Sequence, residues 1–186
     1  MHTAQHVKDG ITYTSINTYN HQGVRCAKTV SSTGGESISK TYLLDGNRII
    51  GENWSDGTKL QYLYDAQGVC AIVYNGDLYT LCRGIDGSVL RILAGNRVIC
   101  EYDYDAWGNC TVEESTSLND DEILLARNNP FRWKGYYYDV ETELYYCNYR
   151  YYSPLLCSWI SPDSLDYLDP ETIGGIDLYC YCYNIF

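Results

Sequence analysis

Short runs in which apolar and polar residues alternate, each ended by a turn signal, make up most of the chain. Residues 69–74 form one such run, and Asn75-Gly76, a dipeptide typical of two-residue hairpin turns, separates them from the next run at residues 78–82. Because side chains on a strand alternate between two faces, each run predicts a strand with one apolar face. The pattern therefore predicts an all-β chain built as an antiparallel meander of hairpins.

A unit that ends in Tyr-Asp and Gly recurs along the first part of the chain. Residues 62–68 read Tyr-Leu-Tyr-Asp-Ala-Gln-Gly, and residues 102–108 read Tyr-Asp-Tyr-Asp-Ala-Trp-Gly. Aspartate or asparagine stands at positions 20, 45, 65, 86 and 105, a spacing of about twenty residues that suits two short strands and two turns. Aspartate favours such turns because its carboxylate accepts hydrogen bonds from nearby backbone amides, and glycine supplies a positive φ. We expect the turns to be formed by Tyr64, Asp65, Gly68, Tyr104, Asp105 and Gly108.

The repeat breaks off before the last third of the chain. Residues 1–112 carry the hairpin repeats, residues 113–128 form an acidic insertion or loop, and residues 129–186 follow a different pattern. Within the insertion, Asn119 precedes three acidic residues and then Ile123, an order that fits either a capped turn of helix or a charged loop. Both alternatives stay open at this point.

Tyrosine dominates the aromatic content, with 21 residues against 2 phenylalanines. Its ring packs on apolar surface while its hydroxyl needs a polar partner, which suits a sheet with one wet face. Rows of tyrosines on neighbouring strands can pack as cross-strand pairs, and they can also form a surface that binds sugars. The regular repeat favours packing, and a cell-surface adhesion or carbohydrate-binding module is the alternative.

The formal net charge of −11 indicates which classes of partner are not expected. A nucleic-acid partner is not expected, because binding to phosphates needs a basic surface. Membrane insertion is not expected, since no apolar run approaches the roughly 20 residues of a spanning helix, and the first ten residues lack the apolar core of a secretion signal. The nine cysteines are scattered, so we interpret them mainly as small buried hydrophobic residues, and we predict neither a metal site nor a cofactor.

A segment near the end of the chain carries a specific resemblance. Residues 129–146 read Asn-Pro-Phe-Arg-Trp-Lys-Gly-Tyr-Tyr-Tyr-Asp-Val-Glu-Thr-Glu-Leu-Tyr-Tyr. This segment resembles the conserved core that closes the repeat shell of Rhs and YD-repeat proteins, with the pattern Pro-Phe-Arg-x-x-Gly-x-Tyr-x-Asp-x-Glu-Thr-Gly-Leu-Tyr-Tyr. Residues 150–154 and 160–163 continue it in the family's order. Two departures are Glu143 and Cys157, which stand where glycine is usual in the family.

The resemblance implies a function as well as a fold. In this family the repeats form a large hollow β-shell, similar to that of the animal teneurins, which encloses a C-terminal toxin domain used between competing bacteria. The chain would then be a curved, partial β-shell whose partners are the remaining shell repeats and the toxin domain of a longer parent protein, secreted or at the cell surface. Because a piece of a shell has two open strand edges, we expect it to self-associate.

The resemblance also implies site residues. Family members free the toxin by aspartate-dependent self-cleavage, and their arginine and first aspartate match Arg150 and Asp163. The second aspartate lies in an Asp-Pro-x-Gly-Leu motif that the 186 residues lack, so we expect self-cleavage to be incomplete and the chain not to act as an enzyme. Tyr138 and Asp139 are expected to form a further Tyr-Asp turn. Two cations of the same segment, Arg132 and Lys134, are expected to face acidic neighbours in the shell.

Overall fold

The computed structural model describes residues 2–35, 37–162 and 178–181, and the chain there is almost entirely antiparallel β-structure. Eleven strands form one sheet in which each strand pairs with its neighbours along the chain. The strands are β1 (His2–Lys8), β2 (Ile11–Tyr19), β3 (Arg25–Ser32), β4 (Ile38–Asp45), β5 (Arg48–Trp54), β6 (Lys59–Asp65), β7 (Gly68–Tyr74), β8 (Asp77–Arg83), β9 (Val89–Ala94), β10 (Arg97–Tyr104) and β11 (Cys110–Glu114). The predicted all-β meander is confirmed, and the sheet is open, with β1 and β11 as its outer strands among the described residues.

The hairpin turns follow the turn signals in the sequence. Asn75 and Gly76, which connect β7 to β8, have φ values of 51° and 105°. Two consecutive residues with positive φ give the turn that matches the twist of antiparallel strands. Strand direction alternates in a meander, so the turns after β2, β4, β6, β8 and β10, which contain the repeated Asp or Asn, all lie at one end of the sheet.

The acidic insertion contains a helix, which decides between the two alternatives. Helix α1 spans Asp120–Asn128, and its N-cap is Asn119. The Asn119 side chain accepts a hydrogen bond from the Glu122 amide at 2.8 Å, and the Glu122 carboxylate accepts one from the Asn119 amide at 3.1 Å. This capping box satisfies two of the free amides at the start of the helix.

A second sheet follows the helix. After a short 3-10 turn at Trp133–Gly135, its strands are β12 (Tyr137–Asp139), β13 (Leu144–Cys147), β14 (Arg150–Ser153) and β15 (Ser158–Trp159). These four strands again pair in chain order and antiparallel. Glu143 and Cys157 have φ values of 55° and 54°, the left-handed conformation that glycine adopts freely. The backbone therefore keeps the conformation expected for the family's glycines although both residues carry side chains.

The core is rich in tyrosine and connects the two sheets. Its larger cluster joins residues of the large sheet, such as Ile72 and Ile92, to Phe131 and Tyr146 of the C-terminal segment. The buried tyrosines include Tyr42, Tyr62, Tyr74, Tyr79, Tyr102, Tyr137, Tyr145, Tyr146 and Tyr152. Most tyrosine rings on the large sheet thus pack inside the protein, as the regular repeat indicates.

Most of the described cysteines are more exposed than the interpretation as buried residues predicts. Cys100 is buried, Cys82 is exposed, and the other described cysteines are half-buried. The alternation of the strand explains Cys82, since its neighbour Leu81 points into the core and Cys82 therefore points outward.

Candidate functional site

The Tyr-Asp turns share one hydrogen-bonding pattern. Asp65 Oδ1 accepts a hydrogen bond from the Gln67 amide at 2.8 Å. Asp105 Oδ1 accepts one from the Trp107 amide at 2.8 Å and one from the Asn109 amide at 2.9 Å. The same contact with the amide two residues on is made by Asn20, Asp56 and Asp86. Each of these side chains therefore holds the backbone of its turn.

The tyrosine before each aspartate anchors the turn to the preceding strand. The Tyr64 hydroxyl donates to the Ile49 carbonyl at 2.7 Å, and the Tyr104 hydroxyl donates to the Val89 carbonyl at 2.7 Å. In both cases the acceptor lies 15 positions earlier in the chain. A buried hydroxyl needs such a partner, so the ring can pack while its polar end is satisfied.

The turn at Gly108 is also the place where the C-terminal segment packs on the repeats. Gly108 has a φ of +88°, and a Cβ there would lie 2.5 Å from the Trp133 indole. The Tyr145 hydroxyl donates to the Gly108 carbonyl at 2.8 Å, and the Tyr152 hydroxyl donates to the Trp107 carbonyl at 3.0 Å. Gly68, at the equivalent position of the earlier unit, has a φ of +126°. Gly108 thus allows a close approach that a side chain would block.

Asp139 differs from the aspartates of the other turns because its side chain is buried. Its carbonyl accepts hydrogen bonds from the Thr142 and Glu143 amides and so closes a turn, while its carboxylate points into the protein. Arg25 Nη1 donates to Asp139 Oδ2 at 2.5 Å, and Lys28 Nζ donates to Asp139 Oδ1 at 2.7 Å. Lys28 Nζ also lies 2.8 Å from Glu141 Oε1. These four residues form a buried ionic cluster between the two sheets.

Aromatic rings surround the Arg25 guanidinium. Its central carbon lies 5.0 Å, 4.8 Å and 4.2 Å from the ring centroids of Tyr42, Tyr137 and Tyr146. Arg25 Nε and Nη2 are buried and have no hydrogen-bond partner among the described residues. The negative faces of the rings interact favourably with a cation at this distance, so they stabilise the charge where no polar acceptor is present.

The charges of the cluster stabilise one another. Burial by itself raises the pKa of Asp139, but the Arg25 and Lys28 cations outweigh it and hold that pKa below its usual range. Burial likewise lowers the pKa values of Arg25 and Lys28, and Asp139 reverses the effect, so both lie above their usual values. All three groups are therefore charged at neutral pH.

A second buried carboxylate lies beside this cluster. Glu52, on β5, is 1% exposed and accepts hydrogen bonds from the Tyr62 hydroxyl at 2.6 Å and the Tyr137 hydroxyl at 2.5 Å. The Trp54 Nε1 donates to its other oxygen at 2.7 Å. Because Tyr137 belongs to β12, this carboxylate also connects the large sheet to the C-terminal segment.

Sequence reasoning missed Arg25, Lys28 and Glu52. A charged residue inside a strand, among residues that face the core, is the one signal that could have identified Glu52. For Arg25 and Lys28 no spacing rule applies, because Asp139 lies 114 and 111 positions away from them.

Arg150 lies at the start of β14, with its guanidinium carbon 4.0 Å from the Trp159 ring centroid. Asp163 lies outside the described residues. A joint role for Arg150 and Asp163 in self-cleavage therefore stays a prediction.

Among the described residues Arg132 bonds to backbone carbonyls and not to an acidic side chain, so that prediction was wrong. It is 5% exposed, and its Nε and Nη2 donate to the carbonyls of Asn129 at 3.0 Å and Arg127 at 2.6 Å. Its guanidinium carbon lies 4.6 Å from the Tyr138 ring centroid. The last carbonyls of a helix have no partner within it, and Arg132 supplies one at the end of α1.

The described residues contain neither a ready-made metal centre nor a membrane-spanning helix. No group of three or more His, Cys, Asp or Glu residues there is arranged to hold a metal ion. Within the same part of the chain, α1 is too short and too polar to cross a bilayer, and no other helix has the required length and hydropathy.

Comparisons with known proteins relate the chain to parts of much larger ones. No protein-family model matches it. It is 31% identical over 174 residues to the tRNA3(Ser)-specific nuclease WapA of Bacillus spizizenii and 30% identical over 174 residues to the tRNA nuclease WapA of Bacillus subtilis. Each alignment covers 89% of this chain but 7% of the relative, so the chain spans less than a tenth of the length of these curated relatives.

Solved structures show the same fold. A chain of the Photorhabdus luminescens Tc holotoxin pore with mutated TccC3 matches with a TM-score of 0.71 and 19% identity, over 98% of this chain and 9% of that one. A chain of the TcdB2–TccC3–Cdc42 complex matches with a TM-score of 0.69 and 19% identity, over 98% of this chain and 10% of that one. The chain therefore has the fold of a segment of these toxin chains and is similar in sequence to a segment of the WapA proteins.

Proposed function

We propose that this chain is a wall segment of an Rhs/YD-repeat shell that encloses a C-terminal toxin domain in a longer protein. The observation that carries the proposal is the open meander of eleven strands, in which each described strand pairs with its neighbours along the chain. Such a sheet can be lengthened by repeats on either side without any change in its own contacts. The likeness of nearly the whole chain to a small share of large toxin chains supports the same reading.

The C-terminal segment packs across several strands of the large sheet and is the part that would close the shell. Asp139 and Tyr137 contact residues from β3 and β5 of the large sheet, and Trp133 packs on the turn before β11. These contacts lie at separate strands of the large sheet, so they fix the C-terminal segment at more than one place. The proposal therefore assigns the buried ionic cluster a mechanical role: it keeps the closing segment on the repeats.

A protease-protection assay on the longest protein that carries this chain tests the proposal. An enclosed domain should resist a protease that degrades the same domain expressed alone. Asp139→Asn, which removes the charge that holds Arg25 and Lys28, should speed up digestion of the enclosed domain. Glu101→Gln, on an exposed ion pair of β10, is the matched control and should leave protection unchanged. Equal digestion of the free domain and the domain in the intact protein would exclude encapsulation.

The proposed setting, competition between bacteria, rests on the family resemblance. The alternative, a surface module that binds carbohydrate, would require exposed aromatic rings. On the large sheet the tyrosines of β4, β6, β8 and β10 are mostly buried, and the strongly exposed Tyr149 lies between β13 and β14 and not on the large sheet. A glycan array with the purified chain distinguishes the two, because a wall segment should give no saturable signal.

A further inference from the structure

A cavity of about 360 Å³ opens where the Asp-containing turns of the large sheet meet the C-terminal segment. Arg48 at the start of β5, Gly68 at the start of β7 and Arg83 at the end of β8 form one side. The other side is formed by the 3-10 turn with Lys134 and by Cys147 of β13. The cavity is therefore built by both sheets together.

Among the described residues that line this cavity, every charged one is a cation. They are Arg48, Arg83 and Lys134, and neither Asp nor Glu is among the lining residues. Another cavity, of about 500 Å³, contrasts with it because its lysines are mixed with Asp9, Asp56 and Glu141. The cationic lining formed by the described residues contrasts with the net charge of −11 of the whole sequence.

Arg83 has an unused donor next to the cavity. Its Nη2 pairs with Asp65 Oδ2 at 2.6 Å, while its Nη1 is buried without a hydrogen-bond partner among the described residues. A Cβ on Gly68 would lie 3.4 Å from that Nη1, so the glycine leaves space beside it. A buried donor without a partner destabilises the protein, and a bound anion would satisfy it.

The other two cations are held by aromatic rings and not by carboxylates. The Arg48 guanidinium carbon lies 4.7 Å from the Tyr64 ring centroid, and Arg48 forms no ion pair with any described residue. Lys134 Nζ donates to the Tyr181 hydroxyl at 3.0 Å and lies 4.6 Å from the Trp133 ring centroid. In the part of the chain that the structure describes, neither positive charge is bonded to an acid.

The other titratable side chains among the described residues that line this cavity carry no negative charge at neutral pH. Burial raises the pKa of the Cys147 thiol to about 12. Burial also raises the pKa of Tyr64 to about 12, although Arg48 opposes the shift. Asp86 interacts electrostatically with Lys134, but its oxygens accept hydrogen bonds from Ser88 and it does not line the cavity.

We propose that Arg48, Arg83 and Lys134 bind a small oxyanion, a phosphate or a carboxylate group, in this cavity. A guanidinium fork presents two parallel donors to either group, and the Lys134 ammonium, which contacts Tyr181 and Trp133, adds a positive charge nearby. The volume leaves room for a small organic body beside the charged group, against the aromatic wall. The site stands on the geometry of the described residues and does not depend on the proposed function.

Isothermal titration of the 186-residue chain with sodium pyrophosphate and with sodium citrate tests the site, with sodium chloride at matched ionic strength as the background. Saturable binding of pyrophosphate alone would show that the site is specific for phosphate groups, and saturable binding of citrate alone would show that it is specific for carboxylates. Saturable binding of both would show that it accepts oxyanions in general. Arg48→Gln changes an exposed side chain and should weaken binding about tenfold. Lys134→Gln should have a similar effect.

Arg91→Gln is the matched control, because Arg91 is an exposed arginine of the same sheet that pairs with Glu101 away from the cavity. It should bind the anion as the unchanged chain does. No saturable binding of either anion, or equal affinity in Arg48→Gln, Lys134→Gln and Arg91→Gln, would overturn the proposal.

Discussion

Arg25 and Asp139 form an ion pair at 2.5 Å between β3 of the large sheet and β12 of the small one, and neither side chain is more than 2% exposed. A buried pair of this kind contributes little net stability compared with apolar residues of the same shape, but the loss of one partner leaves an uncompensated charge in the core. The pair therefore specifies how the C-terminal segment packs on the repeats more than it adds to the total stability.

Asp139→Asn is expected to lower the free energy of unfolding by about 3–5 kcal/mol, because Arg25 and Lys28 then stay buried with one carboxylate fewer. Urea unfolding followed by far-UV circular dichroism measures the change. Glu101→Gln removes a carboxylate from an ion pair whose side chains are about half exposed, and it should cost less than about 1 kcal/mol. Equal losses in the two variants would mean that the ionic cluster does not hold the sheets together.

The Asp139 carboxylate makes the free energy of unfolding depend on pH in the acidic range. The pKa of Asp139 is lowered in the folded state, so the unfolded chain binds its proton first as the pH falls. The stabilisation by Asp139 is therefore complete above its unfolded pKa of about 3.9 and is lost as the pH falls from there through the lower folded value.

Unfolding curves of the unchanged chain and of Asp139→Asn between pH 7 and pH 2 test this dependence. Other turn aspartates whose pKa is lowered, such as Asp65 and Asp105, are present in both proteins and cancel in the difference. The difference in unfolding free energy should be constant at neutral pH and shrink below about pH 4. A difference that stays constant down to pH 2 would show that Asp139 is not a buried charge.

Gly108→Ala is expected to loosen the packing of Trp133 on the repeat turn. The new Cβ would lie 2.5 Å from the indole, in addition to the strain of a positive φ. Gly57→Ala is the matched control, because Gly57 has a similar φ of +96° but open space around it. Gly57→Ala should cost about 1–2 kcal/mol and Gly108→Ala a further 1–3 kcal/mol, about the cost of overpacking. If thermal unfolding and tryptophan fluorescence change equally in both variants, the close approach at Gly108 is not real.

The hairpins could be predicted from the sequence because their determinants are local. Asn75-Gly76 specifies a turn within two residues, and the Asp105 carboxylate bonds to amides at most four residues away. The alternation of apolar residues then fixes which face of each strand packs inside. Local signals are sufficient for a meander, in which every strand pairs with the next.

Local signals could not predict that the helix α1 or the buried ionic cluster forms. A helix of nine residues is marginal alone, so its capping box at Asn119 predicts a start but not the formation of α1. Tertiary ion pairs, Arg97 with Glu122 and Arg127 with Glu114, hold α1 on the sheet. The contact of Arg25 with Asp139 depends on how the two sheets pack, and the sequence carries no periodic signal for it.

The outer strand β1 is expected to make the isolated chain associate with itself. An outer strand offers unpaired backbone groups to another chain, and Val7 on β1 is 66% exposed. Val7→Lys should therefore shift the chain towards a monomer in size-exclusion chromatography at a series of concentrations. Leu78→Lys, at a 57% exposed position of the inner strand β8, should leave the association unchanged. A concentration-independent monomer for the unchanged chain would contradict the expectation.

Electron cryo-microscopy of the longest protein that carries this chain tests the wall assignment most directly. If the chain is a wall segment, β1 and β11 each lie in a continuous wall, the hairpins keep their order, and the wall surrounds an enclosed domain. A map in which this segment forms a separate domain outside any enclosed volume, with β1 open to solvent, would show that the chain is not part of a shell wall.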